Sequence, residues 1–167
     1  MEKFAKINPI SSQSSASIVK QDHLVDVEFF EDHYNSIKTE INISFKRGNT
    51  ISAFMLSREL IRNLLLDLIR IRFPPASAEN VNLYYDLKNN THREVRVLTG
   101  VIRRQKDDFD LNPEALDHLA NMIDVMEPKT RPGSHSFFTV ITRENLEHYR
   151  INEIAELLVE MIEFTKK

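Results

Sequence analysis

The stretch of residues 49–73 constrains the fold more than any other part of the chain. It reads NTISAFMLSRELIRNLLLDLIRIRF, and its apolar residues recur at helical spacing. A first stripe consists of Ile51, Phe54, Met55, Ile61, Leu65, Leu68 and Ile69. The stripe is widened to more than half of the circumference by Ala53, Leu56, Leu60, Leu64 and Ile71. A helix with so little polar surface must be covered on several sides, so we expect a central core helix with other helices packed around it.

Composition is typical of a helix-rich globular protein. A chain of 167 residues suits one domain, and 41% apolar residues with 3 glycines favour helices over disorder. No apolar run is long enough for a membrane span, and the amino-terminal residues lack the apolar core of a signal peptide. We therefore expect a cytoplasmic protein without a membrane partner. A net charge of −3 argues against bulk electrostatic binding of nucleic acid, although a local patch remains open.

The amino-terminal part of the sequence predicts an arm followed by a helical hairpin. Residues 1–20 are rich in serine, which predicts a flexible arm that is either free or exchanged with a partner. A single helical domain would then span residues 21–167. Residues 22–45 have apolar side chains at helical spacing and acidic residues in their first half, which predicts the first helix. Gly48 suits the end of that helix and Asn49 the cap of the next, so the two helices should pack antiparallel.

Two prolines end the central helix. Pro74 and Pro75 cannot continue its hydrogen-bond ladder, and residues 76–90 are expected to form an irregular connection. Thr91 and Glu94 then have the spacing of a capping box. This spacing predicts that the third helix begins at Thr91.

The remaining sequence predicts two further helices. Asn112 followed by Pro113 is typical of a helix start, and that helix should end near Met126. Residues 137–141 fit either a short strand or the first turns of a helix. Residues 144–167 are expected to be mostly helical. The sequence therefore predicts an all-α protein, a four- to five-helix, mostly antiparallel bundle with a mobile amino-terminal arm.

No pattern in the sequence indicates a metal site or a cofactor. None of the six histidines has a glutamate three residues before it, as the ligands of a di-iron bundle require. Glu114 and His118 are four residues apart, as neighbours on a helix often are. The glycines are isolated, so no phosphate-binding loop is present, and the absence of cysteine removes thiolate ligands and thiol nucleophiles. We expect neither a metal nor a cofactor.

Four arginines form a candidate nucleic-acid-binding stripe on the third helix. At about 100° per residue they fall on one side, opposite the apolar residues: Arg93, Arg96, Arg103 and Arg104. Such a stripe can contact phosphates. The alternative is a solvated helix face that is partly balanced by acidic residues, among them Asp107, Asp108 and Asp110.

Arg131 and His135 are the candidate catalytic residues. Pro132, Gly133 and Ser134 form a turn before His135, and a helix beginning there would place the histidine at its positive end. The alternative is a loop histidine beside a loop arginine.

The order of these elements resembles the HEPN domain family. The resemblance covers residues 22–165 and rests on two long helices followed by a late turn with arginine and histidine. It implies a small helical bundle, often dimeric, and in many members a metal-independent ribonuclease of toxin–antitoxin, defence or RNA-processing systems. Active members have arginine and histidine separated by four to six residues, whereas Arg131 and His135 are separated by three, with Pro132 where a polar residue would stand.

Three functions are compatible with these features of the sequence. The first is a HEPN-like binding or interaction domain, a homodimer in a toxin–antitoxin or defence system, with RNA or a cognate protein as further candidate partners. The second is a metal-independent endoribonuclease that uses Arg131 and His135. The third is a helical adaptor without nucleic-acid contact.

Overall fold

The computed structural model describes residues 22–127 and 140–167. Within these residues the chain is mostly helical, which confirms the all-α prediction. In chain order the elements are α1 (Asp32–Lys46), α2 (Thr50–Arg72), α3 (Ala78–Tyr84), β1 (Tyr85–Asp86), β2 (Thr91–His92), α4 (Val95–Arg104), a 3-10 turn (Lys106–Asp108), α5 (Pro113–Met126), α6 (Arg143–His148) and α7 (Ile151–Thr165). The two strands pair antiparallel. The predicted arm over residues 1–20 lies outside the described residues.

Helix α2 is the centre of the core, as the sequence predicts. The Asn49 side chain accepts a hydrogen bond from the Ser52 amide at 3.4 Å and caps the start of α2. The helix packs against α1, α4 and α7. Its fully buried side chains include Leu60, Leu65 and Leu68. Three helices therefore cover the broad apolar surface of α2.

Two apolar residues of α2 differ from this prediction. Ile51 is 59% exposed and Met55 is 55% exposed, although both belong to the predicted buried stripe. They lie one turn apart at the amino-terminal end of the helix. In the described part of the chain, the helices that cover α2 leave this end of the stripe open.

The prediction of a helix over residues 22–45 is wrong in its first third, because α1 begins at Asp32. The preceding residues 22–31 form neither a helix nor a strand, and Leu24 and Val25 are buried. Their amides donate to Asn42 Oδ1 at 2.8 and 3.0 Å, and Asn42 Nδ2 donates to the Val25 carbonyl at 2.7 Å. A side-chain amide of α1 thus takes the place of helical hydrogen bonds.

We call residues 22–29 the amino-terminal strap. The Asn35 side chain exchanges two hydrogen bonds with the Phe29 backbone, at 3.2 and 2.7 Å. The Asp26 amide donates to Asn152 Oδ1 in α7 at 2.7 Å. The strap therefore joins the first helical hairpin to the last helix.

The expected irregular connection over residues 76–90 is largely ordered. The Ser77 side chain caps α3, and a hairpin follows in which Asp86 pairs with Thr91. The capping-box prediction is wrong, because Thr91 belongs to β2 and its backbone is used by the hairpin. Helix α4 begins after Glu94, which makes no side-chain capping hydrogen bond.

The carboxy-terminal half agrees more closely with the sequence. Asn112 caps α5 as predicted and accepts a hydrogen bond from the Glu114 amide at 2.8 Å. The last helical region is divided into α6 and α7 at Arg150, whose φ of 55° is left-handed. Of residues 137–141, only Val140 and Ile141 are described, and both lie outside helices and strands. No helix within the described ranges has the length and apolar character that a membrane crossing requires.

We expect Leu65→Ala to lower the free energy of unfolding by about 2–5 kcal/mol, because Leu65 is fully buried at the centre of the core. Chemical denaturation followed by circular dichroism measures this change. Val125→Ala on α5 is the control, and it should cost less than about 1 kcal/mol because the side chain is more than half exposed. Equal costs for the two variants would contradict the central position of α2.

Candidate functional site

The predicted catalytic pair cannot be placed. Arg131 and His135 both lie in residues 128–139, outside the described residues, so the nuclease hypothesis stays a prediction. On both sides of residues 128–139, a nearby described residue forms hydrogen bonds with α2. At the end of α5, Glu127 accepts two hydrogen bonds of 2.9 Å from Arg58 of α2.

On the carboxy-terminal side of residues 128–139, Ile141 is also hydrogen-bonded to α2. The Ile141 carbonyl accepts a hydrogen bond from Thr50 Oγ1 at 2.5 Å. Thr50 and Arg58 are eight residues apart, or about 12 Å along the helix axis. The two described ends that flank the catalytic pair are therefore both attached to the amino-terminal half of α2.

Arg93 is separated from the other arginines of the predicted stripe. It precedes α4, and its Nε donates to the Asn82 carbonyl at 3.1 Å. Its guanidinium also lies 3.5 Å from Asp86. Backbone and side-chain hydrogen bonds from Asn89, with a smaller contribution from Arg93, lower the pKa of the Asp86 carboxyl. Arg93 therefore supports the hairpin that precedes α4.

Arg103 is engaged with the neighbouring helix. Its Nη2 lies 2.8 Å from Asp124 and donates to the Asn121 side chain at 2.8 Å, both in α5. Next to it, Lys106 contacts Asp117 at 2.5 Å, and this carboxylate raises the pKa of the lysine. Oppositely charged side chains thus follow the line where α4 packs on α5. Arg103 therefore has an ionic partner within the protein, Asp124.

Arg96 and Arg104 are the accessible members of the stripe. Both are exposed, and neither makes an ion pair or a side-chain hydrogen bond with another residue of the described ranges. The Arg104 guanidinium lies across Gly100, where an added methyl group would come within 3.2 Å of its Nη1. The structure therefore divides the four arginines into two structural and two exposed side chains.

If the arginine stripe binds RNA, Arg96 and Arg104 should make most of its contacts with the phosphates. We expect Arg96→Glu with Arg104→Glu to weaken binding of single-stranded RNA and to reduce the slope of log K against log salt by about 1.4, since each lost phosphate contact contributes about 0.7. Fluorescence anisotropy at several salt concentrations measures both. The melting temperature should not change, because neither side chain forms an ion pair with the described residues.

Lys46→Glu with Lys88→Glu is the control for net charge, because both lysines are exposed and lie outside α4, and these changes shift the net charge in the same direction and by the same amount. Unchanged RNA binding in the arginine double variant would assign both arginines to solvent.

A second polar pair was not predicted from the sequence. Tyr34 of α1 is almost fully buried, and its hydroxyl donates to Asp67 Oδ2 of α2 at 2.5 Å. In the sequence, Tyr34 is spaced with the apolar residues of the first helix, and Asp67 is one of the few polar residues of the central helix. The sequence does predict that the first two helices pack antiparallel. That prediction could have indicated the contact, because such packing brings the start of α1 beside the end of α2.

We expect this pair to make the stability of the fold depend on alkaline pH. Burial, and then the hydrogen bond to Asp67, raise the pKa of Tyr34 far above its ordinary value. A raised pKa of an acid stabilises the fold below the unfolded pKa of about 10, and that contribution is lost as the pH rises above it. We expect the free energy of unfolding to fall above about pH 10 less steeply in Tyr34→Phe than in the unaltered chain.

Denaturation at a series of pH values tests this expectation, with Tyr85→Phe as the matched control because Tyr85 is only partly buried. The same alkaline slope in the unaltered chain and in Tyr34→Phe would contradict it.

The described residues show no metal centre. No three histidine, aspartate or glutamate side chains among them are arranged to hold a metal ion. Glu114 and His118, the helix neighbours noted in the sequence, are both exposed on α5.

Comparison with protein-family models, with curated proteins and with solved structures found no match to the chain. Function must therefore be inferred from the residues and contacts of the chain itself.

Proposed function

We propose that the chain is a HEPN-like helical binding domain that forms a homodimer, and that two copies meet through an apolar face of α2. A toxin–antitoxin or defence context is what the family resemblance implies. The observation that carries the proposal is the exposure of Ile51 and Met55 on the helix that otherwise forms the centre of the core. Large apolar side chains that are exposed together are typical of interaction sites.

We include a third exposed apolar side chain in the proposed interface. Val140 is 78% exposed, and the hydrogen bond between Thr50 and Ile141 holds the next residue against the start of α2. We call Ile51, Met55 and Val140 the α2 apolar face. Its members come from two separate parts of the chain, so the face is a product of the fold and not of one helix.

The charges beside the α2 apolar face favour a second copy of the chain as the partner. Arg58 is paired with Glu127, and Arg62 is paired with Glu59 at 2.6 Å. These two arginines follow Ile51 and Met55 along one side of α2 at helical spacing. Because each of these two cations has its own acid, the two pairs add no net charge beside the face, and they do not repel the same pairs of a second copy.

A two-fold axis through the α2 apolar face would place the same residues of both copies in contact. Such an isologous arrangement is the commonest form of a homodimer. It would bury Ile51 and Met55 of both copies and leave the exposed Arg96 and Arg104 of α4 free for a further partner.

We expect a dimer in light scattering at concentrations of about 1–100 μM, which is the range where an interface worth about 8 kcal/mol is occupied. Met55→Asp should convert it to a monomer, because a buried unpaired carboxylate is strongly unfavourable at an interface. The circular dichroism spectrum should not change, since the side chain is exposed within one copy.

Leu87→Asp is the matched control. Leu87 is 57% exposed, close to the value for Met55, but it lies in the hairpin after α3. This variant should remain dimeric. A monomer throughout the concentration range, or a dimer that survives Met55→Asp, would contradict the proposal.

A further inference from the structure

A cavity opens between the start of α1, the second half of α2 and the end of α7. Its volume is about 210 Å³. Leu64, Ile71 and Ile162 form its apolar floor. Phe29 and Phe30 from the strap and its junction with α1 form one wall. The cavity is smaller than the sites of about 300–1,000 Å³ that enclose drug-sized molecules, so it suits a fragment-sized ligand.

The charged residues around this cavity are mainly acidic. Three carboxylates and one ammonium line it: Glu31, Asp67, Glu163 and Lys166. Lys166 lies 3.3 Å from Glu163 and 3.8 Å from Glu31, so its charge is shared by the two glutamates at the rim. Asp67 makes no ion pair with any residue of the described ranges. The charged residues that line the cavity therefore have an excess of negative charge, and Arg70 outside the lining also acts electrostatically on the neighbouring Tyr34.

Asp67 has one oxygen in use and one available. Oδ2 accepts the hydrogen bond from the buried Tyr34 hydroxyl at 2.5 Å, whereas Oδ1 has no hydrogen-bond partner among the described residues. The hydroxyl orients the carboxylate through this hydrogen bond. A tyrosine is protonated at neutral pH with its ordinary pKa of about 10, and burial raises the pKa of Tyr34 further. Oδ1 is thus an oriented hydrogen-bond acceptor at the edge of an apolar cavity. A hydrogen bond from a charged donor is stronger there than in water, because the dielectric constant is lower.

The aromatic wall fits a cation with an apolar body. The rings of Phe29 and Tyr34 are 5.7 Å apart, and Phe30 is 75% exposed at the mouth. An aromatic face attracts a cation, and an exposed phenylalanine gains free energy when an apolar group covers it. An anion would meet Asp67 and both glutamates.

We propose that this cavity binds a small organic cation, a primary ammonium compound with an aromatic or aliphatic body. The ammonium would donate to Asp67 Oδ1, and the apolar body would lie on Leu64 and Ile71 beneath Phe30. This site lies at the opposite end of α2 from the α2 apolar face, so its occupancy does not depend on the proposed homodimer.

Three compounds of similar shape distinguish charge recognition from simple apolar binding. The probes are 2-phenylethylamine, 2-phenylethanol and 3-phenylpropionate, titrated into the full chain at pH 7 and low salt and followed by amide chemical shifts. We expect the amine to bind about tenfold more tightly than the alcohol and the propionate not to bind, because a hydrogen bond to a charged group adds about that factor. The shifted amides should belong to residues 29–34 and 159–166.

Asp67→Asn tests the acceptor, because asparagine retains the shape of the side chain and can still accept from Tyr34. The variant should lose about tenfold in affinity for the amine and little for the alcohol. Asp124→Asn, which removes an acid of α5 that is paired with Arg103, is the control and should bind the amine normally. Phe30→Ala, at an exposed position that folding does not require, should also weaken amine binding.

Equal affinities for the amine and the alcohol would overturn the proposal. So would amine affinity that is unchanged in both Asp67→Asn and Phe30→Ala. A titration that shows no saturable amine binding up to about 10 mM would overturn it as well, because a site with a millimolar dissociation constant is mostly occupied at that concentration.

Discussion

The burial of α2 is the constraint on which the rest of the structure depends. Its apolar residues occupy so much of its surface that a single partner helix cannot cover them, and α1, α4 and α7 each cover a different part. Each of these helices has its own polar face toward solvent, so the surface charges are distributed among several elements. The amino-terminal end of α2, with Ile51 and Met55, is where this cover ends in the described residues, and it is the face through which we propose that two copies meet.

Helix starts and the central core were predictable wherever local chemistry and apolar spacing agree. Asn49 and Asn112 cap helices as expected, because their side chains reach amides only two or three residues further on. The strap was not predictable in this way. Its apolar residues fit a helix equally well, and its conformation depends on Asn42, which lies 17 or 18 residues later in the chain. Thr91 and Glu94 had a capping spacing that the hairpin overrides, because pairing with Asp86 uses Thr91 in a strand.

The candidate sites also depend on contacts between elements that are distant in the sequence. Periodicity identified Arg96 and Arg103 as neighbours on one helix face, but the acid that pairs with Arg103 comes from α5, and a sequence pattern within one helix contains no information about it. Tyr34 and Asp67 form a polar pair that the sequence did not predict. Each is an ordinary residue in its own helix, and the cavity beside them arises only when α1, α2 and α7 come together.

The hydrogen bond between Asp26 and Asn152 has a consequence for the order in which the chain is completed. The strap is synthesised before α1, yet its contact with α7 spans 126 positions and cannot form until Asn152 has emerged from the ribosome. Closing so long a loop carries an entropic cost that local helix formation does not. Before α7 has emerged, the apolar surface of α2 that α7 covers in the folded structure lacks this cover. A chaperone that recognises exposed apolar segments would have its longest opportunity to bind in that interval.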